Sequence, residues 1–376
     1  LAPSYAPRGL RTTPIGRWMG QLMKARQRQL LRKAVEPIIR KIVEFIKTNP
    51  KPFLTGLAAV LIVVLACSFY SANGPQTTAV LAGTVRAATL LTLGALCGMI
   101  GERSGVVNIG IEGQFLMSAF FAFTVTSITG SLFMGAMAGI ATGLAMGWML
   151  AAMAVGLKVD QIIAGAVLNI GALGLTSFFY DRSRSLGVSK YTNIDLGALA
   201  DLPLVGTVFF SRPPITYLTM ALLVIVHIAL FRSVWGMRTR AIGEHPGAAD
   251  TVGIDVLRLR YLNVTIAGGF AGLGGSYLAL EAVGTFSRGM SGGRGFLALA
   301  VMIFGRRSPF GAYAAALFFG FTTALQNHFQ LNSVFDIPPQ FVGMLPFVVT
   351  IIVVALSGLM GSMRDPAALG QTYEKG

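Results

Sequence analysis

Long apolar runs separated by short polar segments dominate this chain. Runs long enough to cross a bilayer, which takes about 20 residues, are predicted at 53–72, 78–100, 106–128, 131–156, 160–180, 214–231, 261–281, 310–329 and 339–360. A tenth run at 295–304, eighth in chain order, is too short for a full crossing and is expected to be a half-span. Ahead of these, Leu31, Val35, Ile38, Ile39, Ile42 and Ile46 recur at helical spacing within 18–48, with Arg32, Lys33, Arg40, Lys41 and Lys47 on other faces. That pattern predicts a helix lying in the headgroup plane and ended by Asn49-Pro50-Lys51-Pro52. The expected fold is therefore an all-α polytopic membrane protein of about ten spans. It divides into a basic N-terminal part, 1–51, a transmembrane domain, 52–361, and a tail, 362–376.

Composition supports this class. Only 12% of the 376 residues are charged and 54% are apolar. A soluble domain carries about 25% charged residues. The net charge of +15 is uneven, because residues 1–51 hold twelve Lys/Arg against Glu36 and Glu44. Beside a first span, such charge is expected to hold the N-terminus in the cytoplasm and bind anionic lipid rather than nucleic acid. Ten crossings then return the C-terminus to the cytoplasm. The loop 232–260, with five Lys/Arg, falls inside, and the loop 181–213, with four Lys/Arg and three Asp, falls outside. Cys67 and Cys97 sit in apolar runs and form no disulfide or metal pattern. His227, His245 and His328 lack metal-ligand spacing. The run from Phe53 to Tyr70 lacks a cleavage site and is expected to be a retained span, and a first residue of Leu1 fits a fragment or a non-standard start.

Glycine is placed rather than scattered. Gly135, Gly139, Gly143 and Gly147 form one smooth stripe, and Gly268, Gly272 and Gly275 form another. Such stripes let helix backbones approach closely in lipid. Each half also contains a span, a Gly-rich polar segment and another apolar helix, around Gly101–Gly113 and Gly284–Gly295. On opposite membrane sides these segments would make an inverted repeat of five plus five spans.

Two polar segments carry the candidate chemistry. The first is Gly101–Gln114, G-E-R-S-G-V-V-N-I-G-I-E-G-Q. Its carboxylates, Arg and Asn either line a translocation path or form a structural lock, with Glu102 on Arg103 and Glu112 on a helix end. A helix from Val106 onward would put Asn108 and Glu112 on one face. The second is the loop sequence A-I-G-E-H-P-G-A-A-D-T-V-G-I, 241–254. There Pro246 suits a helix start, Glu244 favours the positive end beside it, and Gly253 suits its stop. A helix of about two turns is marginal in water alone, so it is expected to dock into something.

Together these segments resemble the permease subunits of ABC importers that move branched-chain amino acids, simple sugars and nucleosides. The E-R-x-G-x-x-N-x-G-x-E-G form is most similar to the nucleoside branch, linked to basic membrane proteins. Gly292–Phe296 and Gly305–Gly311 add to a similarity spanning roughly 78–357. The resemblance implies two permease subunits forming a path in a bacterial inner membrane. It implies two cytoplasmic ATPase subunits docked on the loop helix and an extracytoplasmic substrate-binding lipoprotein. By it, Glu244, Pro246, Ala248, Ala249 and Gly253 would couple to the ATPase, and Asn108, Gly110, Glu112 and Gly113 would stand near the path. No cofactor is expected on this chain. It has no phosphate-binding loop, so it is not expected to be an enzyme and ATP hydrolysis falls to the separate subunit.

Arg86 and Glu281 lie within spans and could face substrate or pair with neighbours. Asn169, Gln326 and Asn327 are expected to join helices. Nucleosides are the expected substrates, with sugars, branched-chain amino acids or an ion-coupled transporter as alternatives.

Overall fold

The computed structural model describes residues 74–180, 189–195, 197–200, 202, 205–332, 344, 348, 351 and 365–374. The expected interfacial helix, the first span at 53–72 and Cys67 lie outside the described residues, as does nearly all of the tenth span. Ten α-helices are described: α1 Gly74–Arg103, α2 Ile111–Thr129, α3 Leu132–Ala151, α4 Gln161–Phe179, α5 Pro214–Arg232, α6 Val234–Glu244, α7 Pro246–Thr251, α8 Val256–Ser276, α9 Arg294–Phe304 and α10 Pro309–Asn332. Wider π turns extend α3 to Gly156 and α8 to Val283. A two-residue antiparallel ribbon joins β1, Ile194–Asp195, to β2, Ser211–Arg212.

Among the described residues six helices are long and apolar enough to cross a membrane: α1, α2, extended α3, α4, α5 and extended α8. At 1.5 Å per residue, the 11 residues of α9 reach about half the hydrocarbon thickness. The chain is an all-α polytopic membrane protein. Local chemistry sets the helix ends. Asp160 accepts from Ile162 N and Ile163 N to start α4. Ser233 and Asp255 cap α6 and α8 in the same way. Pro214, Pro246 and Pro309 stand at first helical positions.

The two halves pack by exchange. α1 packs chiefly against α10, while α8 packs chiefly against α3. Each long helix also crosses the short-segment helix of the other half, α1 on α9 and α8 on α2. Where α1 and α8 meet they run in opposite directions. Tyr277 Oη donates to Arg86 O at 2.6 Å near one end, and Cys97 lies against the Ala271 backbone further along. The packing is reciprocal, and antiparallel where the two long helices meet.

The α3–α8 contact explains most of both glycine stripes, while Gly135 and Gly275 pack against α2. A Cβ on Gly143 would lie 2.3 Å from Gly268 O and 2.4 Å from Gly272 Cα. Both obstacles are backbone, so neither can give way. The main apolar core gathers α1 residues such as Leu93, Leu96 and Met99 with Phe115, Leu273, Tyr277, Met302 and Phe319.

Candidate functional site

The Gly101–Gln114 segment is a break between helices, not a continuous helix. Helix α1 ends at Arg103, and Val106 N and Ser104 N both donate to Gly101 O at 3.0 Å. Gly105 adopts φ +86°, which lets Arg260 Nη2 and Ala368 O close over it, where a Cβ would lie 2.6 and 3.1 Å away. Val106–Asn108 lies outside any helix, and helix α2 begins only at Ile111. The expected one-turn relation of Asn108 and Glu112 does not form.

Both residues instead tie elements together. Asn108 is buried, and its Nδ2 donates to Gln114 Oε1 at 3.1 Å and Cys97 Sγ at 3.4 Å. Glu112 accepts 2.7 Å bonds from Gly293 N and Gly295 N, one on each carboxylate oxygen. It thus caps α9 of the other half, where negative charge meets free N–H groups and the positive helix end. Gly295 must be glycine for this approach, since its Cβ would lie 2.5 Å from Glu112 Cα. Gly113 N donates to Asn169 Oδ1 at 2.7 Å, and Asn169 Nδ2 returns a 3.0 Å bond to Ile109 O. Gly110 abuts Gly165 of α4. Asn169 is the helix-joining residue expected of it.

Glu102 takes a partner from the far half. Its carboxylate pairs with Arg307, both side chains being at most 7% exposed, and Arg307 also holds Asp365 at 2.6 Å. Arg103 donates to Arg307 O at 2.9 Å instead of pairing with Glu102. These bonds fix a turn in which Arg306 and Arg307 have φ +53° and +49°. That backbone costs roughly 1–2 kcal/mol per non-glycine residue. Burial lowers the Arg307 pKa, but the Glu102 bond and charge outweigh it and leave the guanidinium above its ordinary value.

The expected docking loop holds two helices, α6 and α7. Pro246 is the first residue of α7, and Gly253, at φ +84°, follows its end. Ala249 points inward against Ile242 and Val256, while Ala248 is exposed. Glu244 ends α6, and its carboxylate accepts from Ala367 N at 3.2 Å.

Arg86 and Glu281 come together near the middle of α1. At 1.5 Å per residue, Arg86 is about 25 Å along the axis from Arg103. Both line a cavity of about 200 Å³ with Lys190, Asn193, Arg212 and Tyr277. Glu281 is anchored by Ile215 N at 2.9 Å and Thr216 Oγ1 at 2.5 Å. Arg212 is 4% exposed and donates through Nε to Val208 O at 2.6 Å, but its Nη2 has no partner. Burial and then the Arg86 charge both lower its pKa. The cavity therefore holds the exposed Arg86 guanidinium beside Arg212, whose enclosed Nη2 has no partner, and suits a ligand carrying hydrogen-bond acceptors.

Sequence reasoning missed Arg212, Arg307 and Asp365 as site residues. A charge next to a Pro-Pro start and a charge pair in a short turn were the available signals. Among the described residues no three His, Cys, Asp or Glu side chains gather as metal ligands.

Comparison with known proteins places this architecture. The family model described as branched-chain amino acid transport system / permease component matches residues 80–354. The chain is 38% identical over 304 residues to the guanosine ABC transporter permease protein NupQ of Bacillus subtilis, covering 76% of this chain and 93% of that one. It is 35% identical to the putative glucose ABC transporter permease protein TsgC13 of Haloferax volcanii, covering 78% and 96%. It is 34% identical to the nucleoside ABC transporter permease protein NupC of Lactococcus lactis, covering 76% and 94%. No solved structure gives a significant match. With the family model covering most of its length, and a polytopic fold whose halves exchange their long helices, the chain belongs to the branched-chain amino acid transport system permease family.

Proposed function

We propose that this permease is the membrane-spanning subunit of an ATP-driven importer of nucleosides. The observation that carries the substrate is the 38% identity to a guanosine permease over nearly that protein's whole length. The polar Arg86–Glu281 cavity supports the same reading, since nucleosides present carbonyl, ring-nitrogen and hydroxyl acceptors to its guanidinium groups. The chain is not itself the enzyme: as an ABC permease component it leaves ATP hydrolysis to a separate subunit.

In this reading the Glu102 end faces the cytoplasm of a bacterial inner membrane, and both termini lie there. Helix α7 receives the ATPase, with Pro246 and Ala248 on its docking face and Ala249 as the inward anchor. Glu244 holds the start of that helix, and Gly253 releases the chain after it. The Arg86–Glu281 cavity opens outward, toward a substrate-binding lipoprotein. Asn108 ties the break to α1 and α2, and Gly110, Glu112 and Gly113 lock it to α4 and α9, so that movement of one half pulls on the other. A second permease subunit completes the path.

Uptake of labelled guanosine by the assembled importer tests this. Uptake is expected to stop on ATP depletion and on deletion of Glu244–Gly253, with membrane insertion intact. Uptake that survives ATP depletion but collapses with an ionophore would replace the proposal with an ion-coupled transporter. Uptake of glucose and not of any nucleoside would move the substrate to the sugars.

A further inference from the structure

Helix α7 has six residues, too few to hold its shape alone. What holds it is a distant part of the chain. Segment 365–374 lies across the Glu102 end and bonds to a succession of separate elements. Its Ala368 N donates to Gly243 O at 3.0 Å, and Ala367 N to Glu244 at 3.2 Å, just ahead of α7. Tyr373 packs into the small cluster formed by Ile242, Ala249 and Val256, the cluster that seats α7. On its other side, Gly370 N donates to Gly105 O at 3.1 Å, at the break after α1. Asp365 holds Arg307, and Arg307 holds Glu102. Arg260 Nη1 of α8 donates to Gln371 O at 2.9 Å.

These contacts form two groups. One is the helix proposed to meet the ATPase. The other is the junction where α1 of one half meets the α9–α10 turn of the other, held in a left-handed conformation at Arg306–Arg307. The buried residues of the segment, Pro366 and Ala368, sit between the groups. Gly105 has no side chain, and this lets the strand pass directly over the break.

We infer that segment 365–374 is a positioning element that couples α7 to the junction of the two halves, so that a displacement of the docking helix is carried to the transport path. This rests on the reading of α7 as the ATPase-docking helix. Direct contacts exist as well, from α7 to α8 of the second half and from the adjoining α6 to α1 of the first, where Gly243 abuts Arg103 O. The segment supplies contacts to both.

The test uses the complete importer, with binding protein, both permease subunits and ATPase, reconstituted in lipid vesicles. The readout is solute imported per ATP hydrolysed, which a general loss of folded protein does not change. Asp365→Ala cuts the tie to Arg307. Tyr373→Ala loosens the tie to α7, and Tyr373→Phe restores its packing. Both disruptive variants are expected to lower the transport-to-hydrolysis ratio at least fivefold while the ATPase still co-purifies, with Tyr373→Phe near wild type. An unchanged ratio in both disruptive variants would overturn the inference. So would loss of the ATPase from the complex in both, which would make the segment a docking surface and not a transmitter. Aggregation of both would reduce it to a purely structural strap. Failure of the underlying reading looks different: the ATPase would remain bound when Glu244–Gly253 is deleted.

Discussion

Two levels along α1, its C-terminal end at Glu102 and its middle at Arg86, hold charges of different habit. At the Glu102 end the charges bond mainly to each other, Glu102 with Arg307 and Arg307 with Asp365, while Arg260 bonds backbone carbonyls and leaves its Nε unpartnered. At the Arg86 level, Arg86 stays exposed in a cavity and Arg212 keeps a buried donor unused. Charges committed to each other hold helices in place, whereas uncommitted charges at membrane depth are retained for something that arrives.

Four substitutions probe that contrast. Arg307→Ala is expected to have the largest effect, because it leaves Glu102 buried and unpaired. Breaking such a pair costs about 3–5 kcal/mol, read as a large fall in the thermal unfolding midpoint of the purified permease. Next is Glu281→Ala, which strips two bonds from the start of α5. Unfolding should show a loss of about 1–3 kcal/mol, and uptake should fall with it. Arg86→Gln should reverse the order of effects. Stability should stay within ~0.5 kcal/mol of wild type, while uptake falls roughly fivefold, the equivalent of about 1 kcal/mol of lost hydrogen bonding. If Arg86→Gln destabilises the fold as Arg307→Ala does, the two levels do not differ in kind.

The smallest effect belongs to the exposed Lys158–Glu374 pair, 2.6 Å long. The Lys158 hydrogen bond, then its charge, holds the Glu374 pKa below the ordinary carboxylate value. A depressed carboxylate stabilises above its unfolded pKa, about 4.3, and the contribution disappears as pH falls through the lowered folded value. Lys158→Ala should therefore leave the unfolding midpoint nearly unchanged at neutral pH, and any difference should vanish in high salt.

Much of the fold was legible because lipid imposes length and uniform apolarity. The expected runs at 78–100 and 214–231 became α1 and α5 with ends shifted by a few residues, and the run at 295–304 was short as anticipated. The glycine stripes read correctly, since close approach demands a missing side chain at fixed spacing. The site was legible only where it is local. Gly105 and Gly110 announced a break, and Pro246 announced α7. The partners were not legible. Glu102 meets a residue 205 positions away, and Glu112 meets backbone 181 and 183 positions away. Arg103, next in sequence to Glu102, was the obvious partner and points elsewhere. The cavity draws Arg86, Arg212 and Glu281 from three separate stretches, and no spacing rule joins them.

The interlocked glycines of α3 and α8 also set a timetable for biogenesis. Gly143 fits only against Gly268 and Gly272, which the ribosome adds more than a hundred residues later. At ~5–20 residues per second, α3 waits in the bilayer for on the order of 10 s with its smooth face uncovered. During that interval α3 can pack on α2 but not on its main partner, and other small-residue helices in the membrane compete for the same groove. Exchange packing therefore makes the order of synthesis, as well as the finished contacts, part of how this permease reaches one structure.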